Sequence, residues 1–182
     1  METMEFFKTP KGQVIAGAHR YLKAAKLLRY SETWAERPTI LQTPTLHLLG
    51  HGLELLLKFP LMASGVDQAD IKRQFGHRLV ALWEHDLNEH VRGLCKERAT
   101  VAWDEARTSG RWFEDDFDKD PKEELVRGIH SLAWLHGADS DFALRYVVKS
   151  PTQAPRPAFL IDVLDDVAER AVKNPTILTE TW

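Results

Sequence analysis

The chain has 182 residues, 43% of them hydrophobic and 28% charged, with a formal net charge of −3. That size fits one domain with a core large enough to need neither disulfides nor a structural metal. That composition excludes wholesale disorder, collagen-like repeats and low complexity. No run approaches the roughly 20 apolar residues of a membrane span, because the longest apolar region, Leu46 to Ala63, is interrupted by His47, His51, Glu54 and Lys58. The single cysteine, Cys95, excludes an intrachain disulfide and a multi-thiolate metal site. Met1-Glu2-Thr3-Met4-Glu5 is acidic and is not expected to be a secretion signal. A cytoplasmic protein is the expectation.

Charge is uneven along the chain. Residues 1–100 carry +3 and residues 101–182 carry −6. Between Phe6 and Tyr30 there is no acid, while Lys8, Lys11, Arg20, Lys23, Lys26 and Arg29 all fall there. Glu114 to Asp120 is an acidic run. The basic segment can attract phosphates, or it can be a solvated face that pairs within the molecule.

The pattern is helical from end to end. Val14, Ile15, Ala18, Tyr21, Leu22, Ala25 and Leu28 recur in steps of three and four, predicting a first helix from Gly12 to Tyr30. Ser31 to Thr43 reads as a connector. Thr43-Pro44 reads as a helix start, a hydroxyl cap followed by proline in the first turn. The helix from Pro44 to about Phe59 is apolar on more than one side and is expected to be central. Pro60 is expected to kink or end it. Asp67 to Phe75 is a short helix closed by Gly76, and a longer helix is predicted from Arg78 to as far as Arg107.

Thr108-Ser109-Gly110 and the acidic run form a loop. Asp120-Pro121 opens a helix that ends at His136-Gly137. Phe142 to Val148 reads as a short extended piece, and Ser150 to Pro157, with three prolines, as an extended loop. Ala158 to Lys173 is the last helix, stopped by Asn174-Pro175. The expected architecture is all-α: a single bundle of five to six helices over residues 1–182, with its core at about 12–173 and residues 174–182 as a surface tail.

One stretch carries a recognisable pattern. Residues 51–87 contain Glu54, Leu57 and Lys58 on a helix, then Ser64-Gly65, a short helix, and Gly76-His77 opening the next helix with Leu79. This resembles the HEPN superfamily of small helical domains linked to nucleotides and RNA. Arg78 stands where such chains usually carry Asp, and Pro60 is unusual in that helix. Leu144-Arg145-Tyr146 is similar to a Leu-Arg-Tyr-Pro segment of some members, without its proline. The resemblance implies a helical bundle, pairing of two copies as a homodimer, and binding of RNA or a nucleotide in a regulatory or defence context.

Glu54 and Lys58 sit four apart with the acid first, the better orientation for a helical pair. With His77 they are expected either to clamp two helices together or to contact a ligand. The basic residues Arg20, Lys23 and Lys26 are the other candidate binding surface.

Catalytic members of the superfamily cut RNA with an Arg-x4–6-His motif. Here Arg78 and His85 have that spacing and, on one helix, would share a face two turns apart. The Arg would hold the phosphate and the His would act as acid or base without a metal. With 13 arginines and 8 histidines the spacing is unremarkable by chance. The expected function is therefore a non-catalytic module, with metal-independent endoribonuclease as the alternative.

A third reading is a protein–protein interaction module anchored by Trp34, Trp112 and Trp182. His47, His51 and Glu54 could line one helix face as metal ligands, but no other histidine pair has supporting spacing, and no metal or cofactor is expected. No glycine-rich phosphate loop is present. His130 and His136 read as ordinary helix residues, and Cys95 as a small buried apolar one.

Overall fold

The computed structural model describes residues 5–112, 117–137, 140, 144 and 155–179. Eight α-helices are described: α1 (Pro10–Arg29), α2 (Glu32–Glu36), α3 (Pro38–Ala63), α4 (Gln68–Phe75), α5 (Leu79–Glu84), α6 (Glu89–Ser109), α7 (Pro121–His136) and α8 (Pro157–Lys173). Short 3-10 turns cover Asp86–Asn88 and Pro175–Leu178. The all-helical expectation holds among the described residues, and the count of five to six helices does not. None of the described helices is long and apolar enough to cross a membrane.

Each boundary has a local cause. Thr9 caps α1, its hydroxyl accepting from the Gly12 amide at 3.1 Å, with Pro10 in the first turn. Ser31 caps α2 by accepting from Trp34 N, so part of the predicted connector is a helical turn. Asp67 caps α4, and Gly76 ends it at φ +52°, a conformation that favours glycine. Asp120 caps α7 by accepting from the amides of Lys122 and Glu123.

The central helix is longer than predicted at both ends. It starts at Pro38 rather than Pro44, and it runs through Pro60 to Ala63. A proline inside a helix removes one donor and crowds the preceding turn. Here 13 of the 26 residues of α3 are buried, including Pro60 itself, so packing outweighs that cost. α3 lies along α1 and also touches α5, α7 and α8. Glycine sets the closeness of α1 and α3: a Cβ on Gly52 would lie 2.7 Å from the Leu22 side chain.

The predicted long helix from Arg78 is broken. After α5 the chain turns extended at His85 (ψ 138°), and α6 begins only at Glu89. Side chains have taken the carbonyls that a continuous helix needs. Asn88, wholly buried, donates to Leu57 O at 2.9 Å and Leu82 O at 2.7 Å. Arg92 donates to Trp83 O at 2.5 Å and to His85 O at 2.8 Å. Such local side-chain bonds offer the backbone an alternative to the helical ladder.

α8 packs against α1 and α6, and α7 against α5 and α6. Between α6 and α8, Trp103, Trp112, Phe117 and Phe159 form an aromatic nest, with Trp103 and Phe159 ring centroids 5.0 Å apart. Trp112 is therefore core, not a surface anchor. The C-terminal segment is not a free surface tail either, because Leu178 is fully buried. Trp182 lies outside the described residues. So do the extended piece predicted at 142–148, Leu144 excepted, and most of the loop at 150–157.

Candidate functional site

Glu54 projects from the middle of α3 and is only 2% exposed. An isolated carboxylate there would be costly, so it has to be paired. Lys58, one turn on, places Nζ 2.5 Å from Oε1. His77, just past the Gly76 turn, places Nδ1 2.9 Å from Oε2. His136, the last residue of α7, places Nε2 3.0 Å from the same oxygen.

Burial alone would raise the carboxyl pKa of Glu54. The hydrogen bonds from His136, His77 and Lys58 outweigh it and hold the group well below the usual carboxylate range. Glu54 is thus an ionised acceptor, and an acceptor of this kind requires N–H at His77 Nδ1 and at His136 Nε2.

The three partners differ in access. His136 is completely buried in its side chain, whereas that of His77 is 45% exposed. Gly50, one turn before Glu54, makes room for the His136 ring, since a Cβ there would lie 2.8 Å from its Nδ1. The pairing of Glu54, Lys58 and His77 was expected, and the structure brings all three together. His136 was missed. It lies 82 residues from Glu54, and no spacing rule reaches across two elements. His47 and His51 do not join Glu54 as ligands at the same point. The Tyr21 ring packs edge-on against His51 at 4.4 Å, and burial pushes the His51 pKa down.

His77 also borders a groove of about 740 Å³ between α4, α5 and α7. Its walls include Phe75, Leu79, Ala133 and Trp134, the last 43% exposed. Lys72, Arg73, Arg78 and His130 line it too, and among the described residues Glu84 is the one acid that does. Arg73 pairs with Asp70 at 2.7 Å. Among the described residues, Lys72 and Arg78 have no ion-pair or side-chain hydrogen-bond partner. The groove therefore offers unspent positive charge beside an exposed indole.

Arg78 and His85 do not lie within one helix. They flank α5, Arg78 as its N-cap and His85 as its C-cap. His85 Nδ1 accepts from the Leu87 amide at 3.2 Å, and its ring packs edge-on against Phe75 at 5.4 Å. The continuous helix expected to carry both residues is absent, because α5 stops at Glu84.

The basic face of α1 is largely spent inside the molecule. Lys26 Nζ lies 2.7 Å from Asp165 Oδ2, and Lys23 lies 3.7 Å from both Asp165 and Glu169. Arg20 remains exposed. Asp165 and its neighbour Asp162 are both buried on α8. Asp162 accepts from the Tyr30 hydroxyl at 2.8 Å and faces Arg111 at 3.3 Å. Burial raises the Asp162 pKa and pushes Tyr30 up to about 12. Both lysines converge on Asp165, while Asp162 is met by Tyr30 and Arg111, a division that no spacing in the sequence records. No family model, curated protein or solved structure matches this chain.

Proposed function

We propose that the chain is a HEPN-like, non-catalytic helical module that binds single-stranded RNA or a nucleotide in the groove beside His77. The observation that carries this reading is the pairing of unspent cations, Lys72 and Arg78, with the exposed face of Trp134 in one apolar-walled groove. Phosphates are attracted by the cations, and Arg offers a planar fork to phosphate oxygens. A base stacks on an indole whatever its identity. Glu54 has a supporting part: by holding His77 it fixes one wall of the groove.

This moves the binding surface away from Lys23 and Lys26, whose charges are answered by Asp165. RNA as the polymer is what the resemblance around residues 51–87 implies. The test is a binding titration of a labelled single-stranded RNA, repeated with a mononucleotide. Trp134→Ala should weaken binding by about 1–3 kcal/mol, the worth of one stacked base, with an unchanged melting temperature. Unaltered affinity in that variant would remove the groove from the account.

A further inference from the structure

We propose that Glu54, His77 and His136 form a three-ligand site for a divalent transition metal of the zinc class. The three ligand atoms, Glu54 Oε2, His77 Nδ1 and His136 Nε2, all lie within 4.8 Å of one another. Both imidazole nitrogens face the same carboxylate oxygen, at 2.9 and 3.0 Å. Around a tetrahedral zinc with bonds of about 2.0–2.1 Å, neighbouring ligand atoms stand about 3.3 Å apart. Each nitrogen therefore needs to move only a few tenths of an ångström from the oxygen they share, and the two nitrogens, within 4.8 Å of each other, have to come to about the same 3.3 Å.

The donor set fits the ion. Two borderline imidazoles with one carboxylate suit zinc, nickel and cobalt rather than calcium or magnesium. The ion would replace the N–H protons at His77 Nδ1 and His136 Nε2, each ring then carrying its proton on the other nitrogen. Three protein ligands leave a fourth position open. His77 supplies the opening, because it is half-exposed and borders a cleft lined by Tyr21, His47 and His51. The cleft is the route by which water would reach the fourth position.

The ligands are also held in place. They come from three separate elements: α3, the turn after α4, and the end of α7. Lys58 occupies Oε1 at 2.5 Å and leaves Oε2 turned toward the histidines. A ligating carboxylate is commonly fixed by such an outer partner. His136 is wholly buried, and Gly50 gives it the space to lie against Glu54. The sequence pairing of His47 with His51 is not the metal pair, since neither belongs to this group of three.

The site is tested with tag-free full-length protein, stripped with chelator and titrated with zinc chloride against a chromophoric competitor. Cobalt substitution reports the geometry through its visible absorption. One zinc per chain and a tetrahedral cobalt spectrum are expected. His77→Ala, which removes a half-exposed side chain and should fold, is expected to weaken binding by more than about tenfold. His90→Ala, on α6 and outside both the group of three and the cleft, should bind like the parent. Absence of saturable zinc and cobalt binding, or parental affinity in His77→Ala, would overturn the proposal. No RNA is present in this experiment, so its failure leaves the groove reading untouched.

Discussion

Removing the Glu54 carboxylate strands three donors at once. Lys58 and His136 are buried or nearly so, and among the described residues neither has another side-chain hydrogen-bond partner. Glu54→Ala should therefore destabilise the fold by about 3–5 kcal/mol, the range for breaking a buried pair from one side. Exposed pairs cost no more than about 1 kcal/mol. Chemical denaturation of the two proteins measures the difference.

The same group sets an acid dependence. Its folded pKa is depressed below the free value of 4.5, so its contribution is present above pH 4.5 and is lost as pH falls. Glu54→Gln should flatten the melting-temperature profile on that acid side. An equally steep acid limb in the variant would show that other carboxylates carry it. At this scale the sequence was informative for Glu54, Lys58 and His77, which lie on neighbouring segments. It was silent on His136, whose partner lies across the bundle.

Helices were legible where apolar spacing and caps agreed. Asp67, Gly76 and Asp120 mark their boundaries because each acts through its own backbone neighbours. Two elements were misread because tertiary contacts overrode local rules. α3 passes through Pro44 and Pro60 because burial holds it. The break at His85 depends on Asn88 reaching Leu57 O on another helix, which no local pattern records.

The close approach of α3 and α7 is itself testable. Gly50→Ala would push a methyl to within 2.8 Å of His136 Nδ1, displacing the ring from Glu54. Overpacking of this kind costs about 1–3 kcal/mol. A variant as stable as the parent, with His136 unmoved by NMR, would show that the two helices are not held as described.

Across the whole molecule, charge is distributed between two purposes. α1 and α8 neutralise each other through Lys23, Lys26, Asp165 and Glu169. On the other side, Lys72 and Arg78 have no ion-pair partner among the described residues and stand beside Trp134. The linear charge map showed where the basic residues lie but not which of them the fold consumes. That is why Lys23 and Lys26 looked as available as Arg78. The homodimer implied by the resemblance would have to leave this groove accessible.

The most direct test of the groove is the salt dependence of RNA binding. Affinity of a single-stranded oligonucleotide for wild-type protein, measured at stepped salt concentrations, should fall linearly in a double-logarithmic plot. Each phosphate contact on a single strand adds about 0.7 to the slope, so Lys72→Ala combined with Arg78→Ala should make it shallower by about 1.4. Arg20→Ala, on the exposed face of α1, should leave it unchanged. A wild-type slope retained in the double variant, or lost in Arg20→Ala, would contradict the account.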